Sequence, residues 1–96
     1  MKVKVKGYLT FREVVGDLQL QFDDGGTITV HDILSELLLR SGDEFADMVF
    51  EPKTKQLSQW VAILINGRHY SHLPDRLETA LSDQDEVAIF PPIAGG

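Results

Sequence analysis

The residues best suited to chemistry in this chain are its last six, Pro91-Pro92-Ile93-Ala94-Gly95-Gly96. Pro91 and Pro92 have a fixed φ and no backbone N–H, so neither extends a sheet ladder, and a Pro-Pro pair favours the extended polyproline II form. A strand is therefore expected to end at Phe90 and the chain to leave the body as a tail, which reaches roughly 20 Å when fully extended. Gly95 and Gly96 lack Cβ, so this end can thread a channel too narrow for any side chain. A terminal glycine carboxylate is also the least hindered acyl group a protein can present. It is inert until its oxygen becomes a leaving group. Coupling to AMP would produce a mixed anhydride open to attack by sulfur or by an amine. No phosphate-binding loop accompanies the carboxylate, so ATP, Mg²⁺ and oxyanion-stabilising groups must come from a partner. On this reading the chain is not itself an enzyme and binds no cofactor.

The other candidate groups are weaker. His69 and His72 stand three apart in a strand-to-loop region with no third ligand in view, which predicts no metal site. Ser35, Ser58, Ser71 and Ser82 fall in no nucleophile motif, and Lys53 and Lys55 read as solubilising loop charges. Asp83, Asp85 and Glu86 form an acidic cluster just before the last strand. They are either a solvated turn or, with Asp85 and Glu86 beside the tail, a docking site for Arg or Lys of a partner. Phe90 falls on the strand face opposite Val87 and Ile89. Either residues 45–50 cover it, or it forms an apolar docking patch with Ile89 and Ile93.

Composition narrows the partner. Lys and Arg number 9 against 15 Asp and Glu, a net charge of −6, whereas nucleic acids and anionic membranes require a basic footprint. A basic protein partner fits better. The absence of Cys excludes a disulfide scaffold, a Cys-based zinc site and a cysteine nucleophile. The opening Met-Lys-Val-Lys-Val-Lys offers neither a signal peptide nor a membrane span, and a cytoplasmic location is expected.

These groups need a body to carry them, and 96 residues suffice for one domain, expected over 1–90 with the tail over 91–96. Residues 2–11 alternate, with Val3, Val5, Leu9 and Phe11 on one face and Lys2, Lys4, Lys6, Tyr8 and Thr10 on the other. This predicts a half-buried strand. Leu18, Leu20 and Phe22 predict a second strand, making a hairpin with the first, and Asp23-Asp24-Gly25-Gly26 ends it. Val30, Ile33, Leu34, Leu37 and Leu38 line one helical stripe over about 30–41. Thr29 and Asp32 form a capping box at its start, and Gly42 supplies a stop. Residues 43–59 are ambiguous, with Phe45, Met48, Val49 and Phe50 on a short helix or strand packed as a flap. Trp60 to Ile65 is apolar on both faces and predicts a central strand. Asn66-Gly67 turns it into a short return strand at Arg68-His69-Tyr70, an irregular crossing follows over 73–81, and Glu86–Phe90 is the last strand. A hairpin, one covering helix and further strands make a two-layer α+β domain of β-grasp, ubiquitin-like type: a small mixed sheet under one main helix.

The ending Asp85-Glu86-Val87-Ala88-Ile89-Phe90-Pro91-Pro92-Ile93-Ala94-Gly95-Gly96 resembles the C-terminal signature of the MoaD/ThiS family of ubiquitin-like sulfur carriers, most closely the molybdopterin synthase small subunit. Arg12-Glu13-Val14-Val15-Gly16 is similar to that family too. The resemblance implies that a MoeB/ThiF-like activating enzyme adenylates Gly96, and that sulfur transfer then makes a thiocarboxylate. The tail would next enter a pocket of a MoaE-like large subunit, presenting Phe90, Pro91, Pro92, Ile93, Ala94 and Gly95 to it, and give sulfur to the molybdopterin precursor. The added Asp43–Gln59 segment resembles lengthened archaeal and thermophile relatives, some of which are conjugated to lysines as protein modifiers. A modifier joined through Gly96 is therefore one alternative, a thiamine-pathway carrier another, and an interaction module with an incidental tail a third.

Overall fold

The computed structural model describes residues 1–23 and 26–92. Strands β1 (Lys2–Gly7), β2 (Asp17–Gln21), β3 (Ala62–Ile65), β4 (Arg68–His69) and β5 (Glu86–Phe90) form one mixed sheet in the order β2-β1-β5-β3-β4. β1 pairs antiparallel with β2 and parallel with β5, while β3 is antiparallel to both β5 and β4. Helices α1 (Phe11–Val14) and α2 (Val30–Val49) complete the regular structure, with two single 3₁₀ turns at Tyr70–His72 and Arg76–Glu78. This is the β-grasp arrangement expected from the element order. The tail-bearing strand β5 is the middle strand, so its end is held from both sides. β3 is interior as expected, one place from the edge.

Alternation decides which side chains make the core. Val3 and Val5 of β1, Val87 and Ile89 of β5 and Ile63 of β3 are fully buried, against Val30, Ile33 and Leu37 of α2. The start of α2 is the expected capping box: Thr29 Oγ1 accepts from Asp32 N at 3.3 Å, and Asp32 Oδ2 accepts from Thr29 N at 2.9 Å. Each bond satisfies a backbone donor that the first helical turn leaves open.

Two expectations need correction. The first strand does not run to residue 11. It ends at Gly7, because a Cβ there would stand 2.4 Å from the Phe11 carbonyl oxygen, an approach only glycine permits. The chain folds back into α1, so Phe11 is buried from a helical turn and Leu9 is left 58% exposed. The helix, for its part, does not finish at residue 41. Gly42 takes φ 58 and ψ −136, the break its sequence position predicts, yet helical geometry resumes directly and carries Phe45 and Val49 into the core. Burying that second apolar pair is what the restart accomplishes. The Ser41 hydroxyl donates to the Val14 carbonyl at 3.1 Å and ties the break to α1. Within the ambiguous 43–59 segment, residues 43–49 are therefore helical, and an isolated bridge between Phe50 and Leu57 closes the loop that follows.

Candidate functional site: the root of the tail

β5 alternates Val87 and Ile89 inward and Glu86, Ala88 and Phe90 outward. The outward face is therefore where the tail begins. Phe90 is half-buried, and its ring lies flat against Tyr8, with centroids 4.4 Å apart and planes 7° from parallel. Residues 45–50 do not account for its cover: Phe45 and Val49 are buried in the core on the inward side. The Tyr8 N–H also donates to the Ile89 carbonyl at 2.9 Å. Ring stack and backbone bond together fix the last turn of chain before Pro91. Pro91 is half-buried and Pro92 exposed, consistent with two residues that cannot prolong the ladder.

Register extends the patch. Ala62 faces Phe90, Leu64 faces Ala88, and His69 faces Leu64 on the same outward side. Tyr8, Phe90, Ala88, Ala62 and Leu64 make a partly exposed apolar strip, and Trp60, 60% exposed, lies two residues before Ala62. On the other side of the strip runs a row of lysines, Lys2, Lys4 and Lys6, outward on β1. Tyr8 was missed as a neighbour of Phe90. The signal was there in principle, since both residues alternate to the outward face and the β-grasp places first and last strands side by side.

The acidic cluster is engaged within the chain. Asp85 accepts from Ser82 N at 2.7 Å and from Asn66 Nδ2 at 3.0 Å, and Asn66 Oδ1 accepts from Glu86 N at 2.9 Å. These bonds join the Asn66-Gly67 turn, with φ of 51 and 86, to the start of β5. Glu86 pairs with Lys6 at 3.4 Å and raises the ammonium above the usual lysine range. Asp83 accepts from Lys2 N at 2.7 Å, and that backbone donor holds its carboxyl below the usual carboxylate range. Turn chemistry thus explains these carboxylates more directly than docking does. His69 and His72 have ring centroids 6.0 Å apart, and His69 Nδ1 accepts from Ser71 N at 3.1 Å. Among the described residues no three His, Cys, Asp or Glu side chains are grouped to hold a metal, and no helix is long and apolar enough to cross a membrane.

Ile93, Ala94, Gly95 and Gly96 lie outside the described residues. What the structure provides is their point of departure: a strand end fixed in the middle of the sheet, flanked by an apolar strip and a lysine row.

Comparison with known proteins agrees with this geometry. Residues 8–96 match the ThiS family. Over its full length the chain is 38% identical to small archaeal modifier protein 3 of Haloferax volcanii, covering all of that protein. It is also 31% identical to a putative sulfur carrier protein of Archaeoglobus fulgidus, across 84% of this chain and 85% of the relative. A solved Pyrococcus furiosus structure described as a putative molybdopterin converting factor, subunit 1, superposes with a TM-score of 0.69 at 29% identity, covering 97% of this chain and 99% of that one. With a match that runs from Tyr8, the residue after β1, through the other four strands to residue 96, this chain belongs to the ThiS family.

Proposed function

We propose that this protein is a carrier whose C-terminal Gly96 carboxylate is activated by a partner of the MoeB/ThiF type and converted to a thiocarboxylate. The observation that carries the reading is the tail root: Phe90 locked by Tyr8 at the end of the middle strand, followed at once by two prolines. A strand end fixed in this way suits a carrier whose narrow, Gly-terminated sequence another protein's site takes in. In activation the carboxylate oxygen attacks the α-phosphorus of ATP and pyrophosphate leaves. A sulfide-level sulfur, HS⁻, then attacks the acyl carbon, the C–O bond to AMP breaks, and AMP leaves with the thiocarboxylate formed. ATP and Mg²⁺ belong to the activating partner.

For the next acceptor we infer a molybdopterin precursor held by a MoaE-like large subunit. The Asp85-to-Gly96 ending and the likeness to the Pyrococcus furiosus protein support this. One observation favours a second outcome for the same adenylate. The full-length likeness to a small archaeal modifier supports attack by a lysine amine and an isopeptide bond through Gly96.

Incubation with activating enzyme, ATP and a sulfur donor, read by intact-protein mass spectrometry, tests the proposal. The expected product carries sulfur in place of one carboxylate oxygen. Deleting Gly96, or adding one residue after it, should abolish that product while leaving the melting temperature unchanged. Sulfur transfer that survives either change refutes the tail as the site. Isopeptide-linked conjugates in lysate, lost on deleting Gly96, mark the modifier outcome.

A further inference from the structure

We propose that the corner between β1 and α1, residues Tyr8–Arg12, is a second contact for the protein that activates the tail, with Leu9 seated in an apolar hollow and Arg12 paired with a carboxylate of that protein. The inference rests on the tail reading for the existence of such a partner, and on three local observations for the contact.

Leu9 has φ 55, a left-handed backbone that bulky L residues rarely adopt. Its side chain is nevertheless 58% exposed, so little burial offsets the strain. Glycine or asparagine would hold the same turn, in which Phe11 N and Arg12 N donate to the Tyr8 and Leu9 carbonyls, each at 3.0 Å. A strained, exposed leucine at a turn that does not need one has an explanation outside the chain.

Arg12 is the second observation. Among the described residues its guanidinium enters no ion pair and no hydrogen bond, although the chain carries a net charge of −6. It lines a cleft of about 290 Å³ with Lys6, Gly7, Tyr8, Gly16 and Asp17. Lys6 is committed to Glu86. Asp17 lines the same cleft but forms no ion pair with Arg12. An exposed, unpaired guanidinium at the edge of a cleft is complementary to a planar carboxylate. Charge therefore selects a carboxylate from the partner, where overall composition alone suggested a basic surface.

Continuity with the tail is the last observation. Tyr8 belongs to the corner and to the tail root at once, through its bond to Ile89 and its stack on Phe90. A partner that takes in the tail comes to lie against Leu9 and Arg12.

The test is ATP–pyrophosphate exchange by a ThiF-type activating enzyme, with the full-length carrier as varied substrate. Leu9→Gly and Arg12→Glu should each raise the carrier KM about tenfold at unchanged kcat. Arg12→Lys should recover part of the loss, as a point charge lacking the guanidinium fork. Leu9→Gly should melt at or above the wild-type temperature, because it relieves strain and gives up little packing. A KM within about twofold of wild type for both variants refutes the corner contact, as does a KM increase that appears only together with a fall in melting temperature. A wild-type protein that the enzyme does not adenylate refutes the tail reading itself, and the corner with it.

Discussion

Adding one methyl group at Gly7 probes how tightly the tail root is built. An ideal Cβ at Gly7 stands 2.4 Å from the Phe11 carbonyl oxygen, 2.8 Å from its carbonyl carbon and 3.0 Å from its Cβ. Ordinary contact begins at 3.4 Å, so the Phe11 backbone has to withdraw by about 1 Å in an interior packed like a crystal. That carbonyl accepts from Val15 N at 2.8 Å and Gly16 N at 3.2 Å, and the Phe11 ring, fully buried, meets Phe45 edge-on with centroids 6.0 Å apart. Withdrawal adds an overpacking cost of about 1–3 kcal/mol to the weakening of one or two hydrogen bonds at about 0.5–1.5 kcal/mol each. Gly7→Ala should therefore cost about 2–5 kcal/mol, a large share of the roughly 5–15 kcal/mol typical of a domain. The melting temperature should fall on the order of 10–30 °C. Gly26→Ala is the control, since a Cβ there meets nothing within 4 Å, and it should stay within about 0.5 kcal/mol of wild type. Urea unfolding followed by circular dichroism measures both. A Gly7→Ala cost below about 1 kcal/mol, or one equal to the control, refutes the reasoning that this close approach ends the strand.

Further outcomes follow from the same geometry. Phe90→Ala removes a half-buried ring and its stack on Tyr8, at about 1–2 kcal/mol. Phe45→Ala, from a fully buried position, should cost about 3–5 kcal/mol. Equal losses in urea unfolding would show that Phe90 is core, and Phe90→Ala should also raise the carrier KM in the exchange assay. Asp83 has its folded-state pKa lowered, chiefly by the Lys2 N–H. The bond's stabilisation is therefore present above the unfolded carboxylate value near 4 and lost as pH falls through the folded value. Asp83→Asn should accordingly be less stable than wild type at neutral pH, with the gap closing below about pH 4. A urea-midpoint difference that stays constant across that range would refute the assignment.

Much of this protein is legible in short stretches of chain because the physics there is local. Two-residue alternation assigns inward and outward faces to Val3, Val5, Val87 and Ile89. The Thr29–Asp32 pair marks the start of α2, Asn66-Gly67 marks a turn, and Pro91-Pro92 forbids further ladder pairing. The chemistry proposed for Gly96 likewise rests on covalent structure rather than on the fold. Other features depend on residues far apart in sequence that pair only in the folded state. Parallel pairing of β1 with β5 sets Tyr8 on Phe90 and places the tail on the middle strand. The Gly7–Phe11 approach ends the alternation that residues 2–11 display, because sterics between backbones override a pattern of side chains. Helix α2 restarts past Gly42 because Phe45 and Val49 have a core to enter, and no residue-by-residue preference reports that. The acidic cluster found partners within the chain for the same reason: Asn66, Ser82 and the Lys2 amide were in reach once the strands had paired. Local sequence carries the chemistry proposed for Gly96, and tertiary pairing decided where the chain leaves β5 at Phe90 and what surrounds that exit.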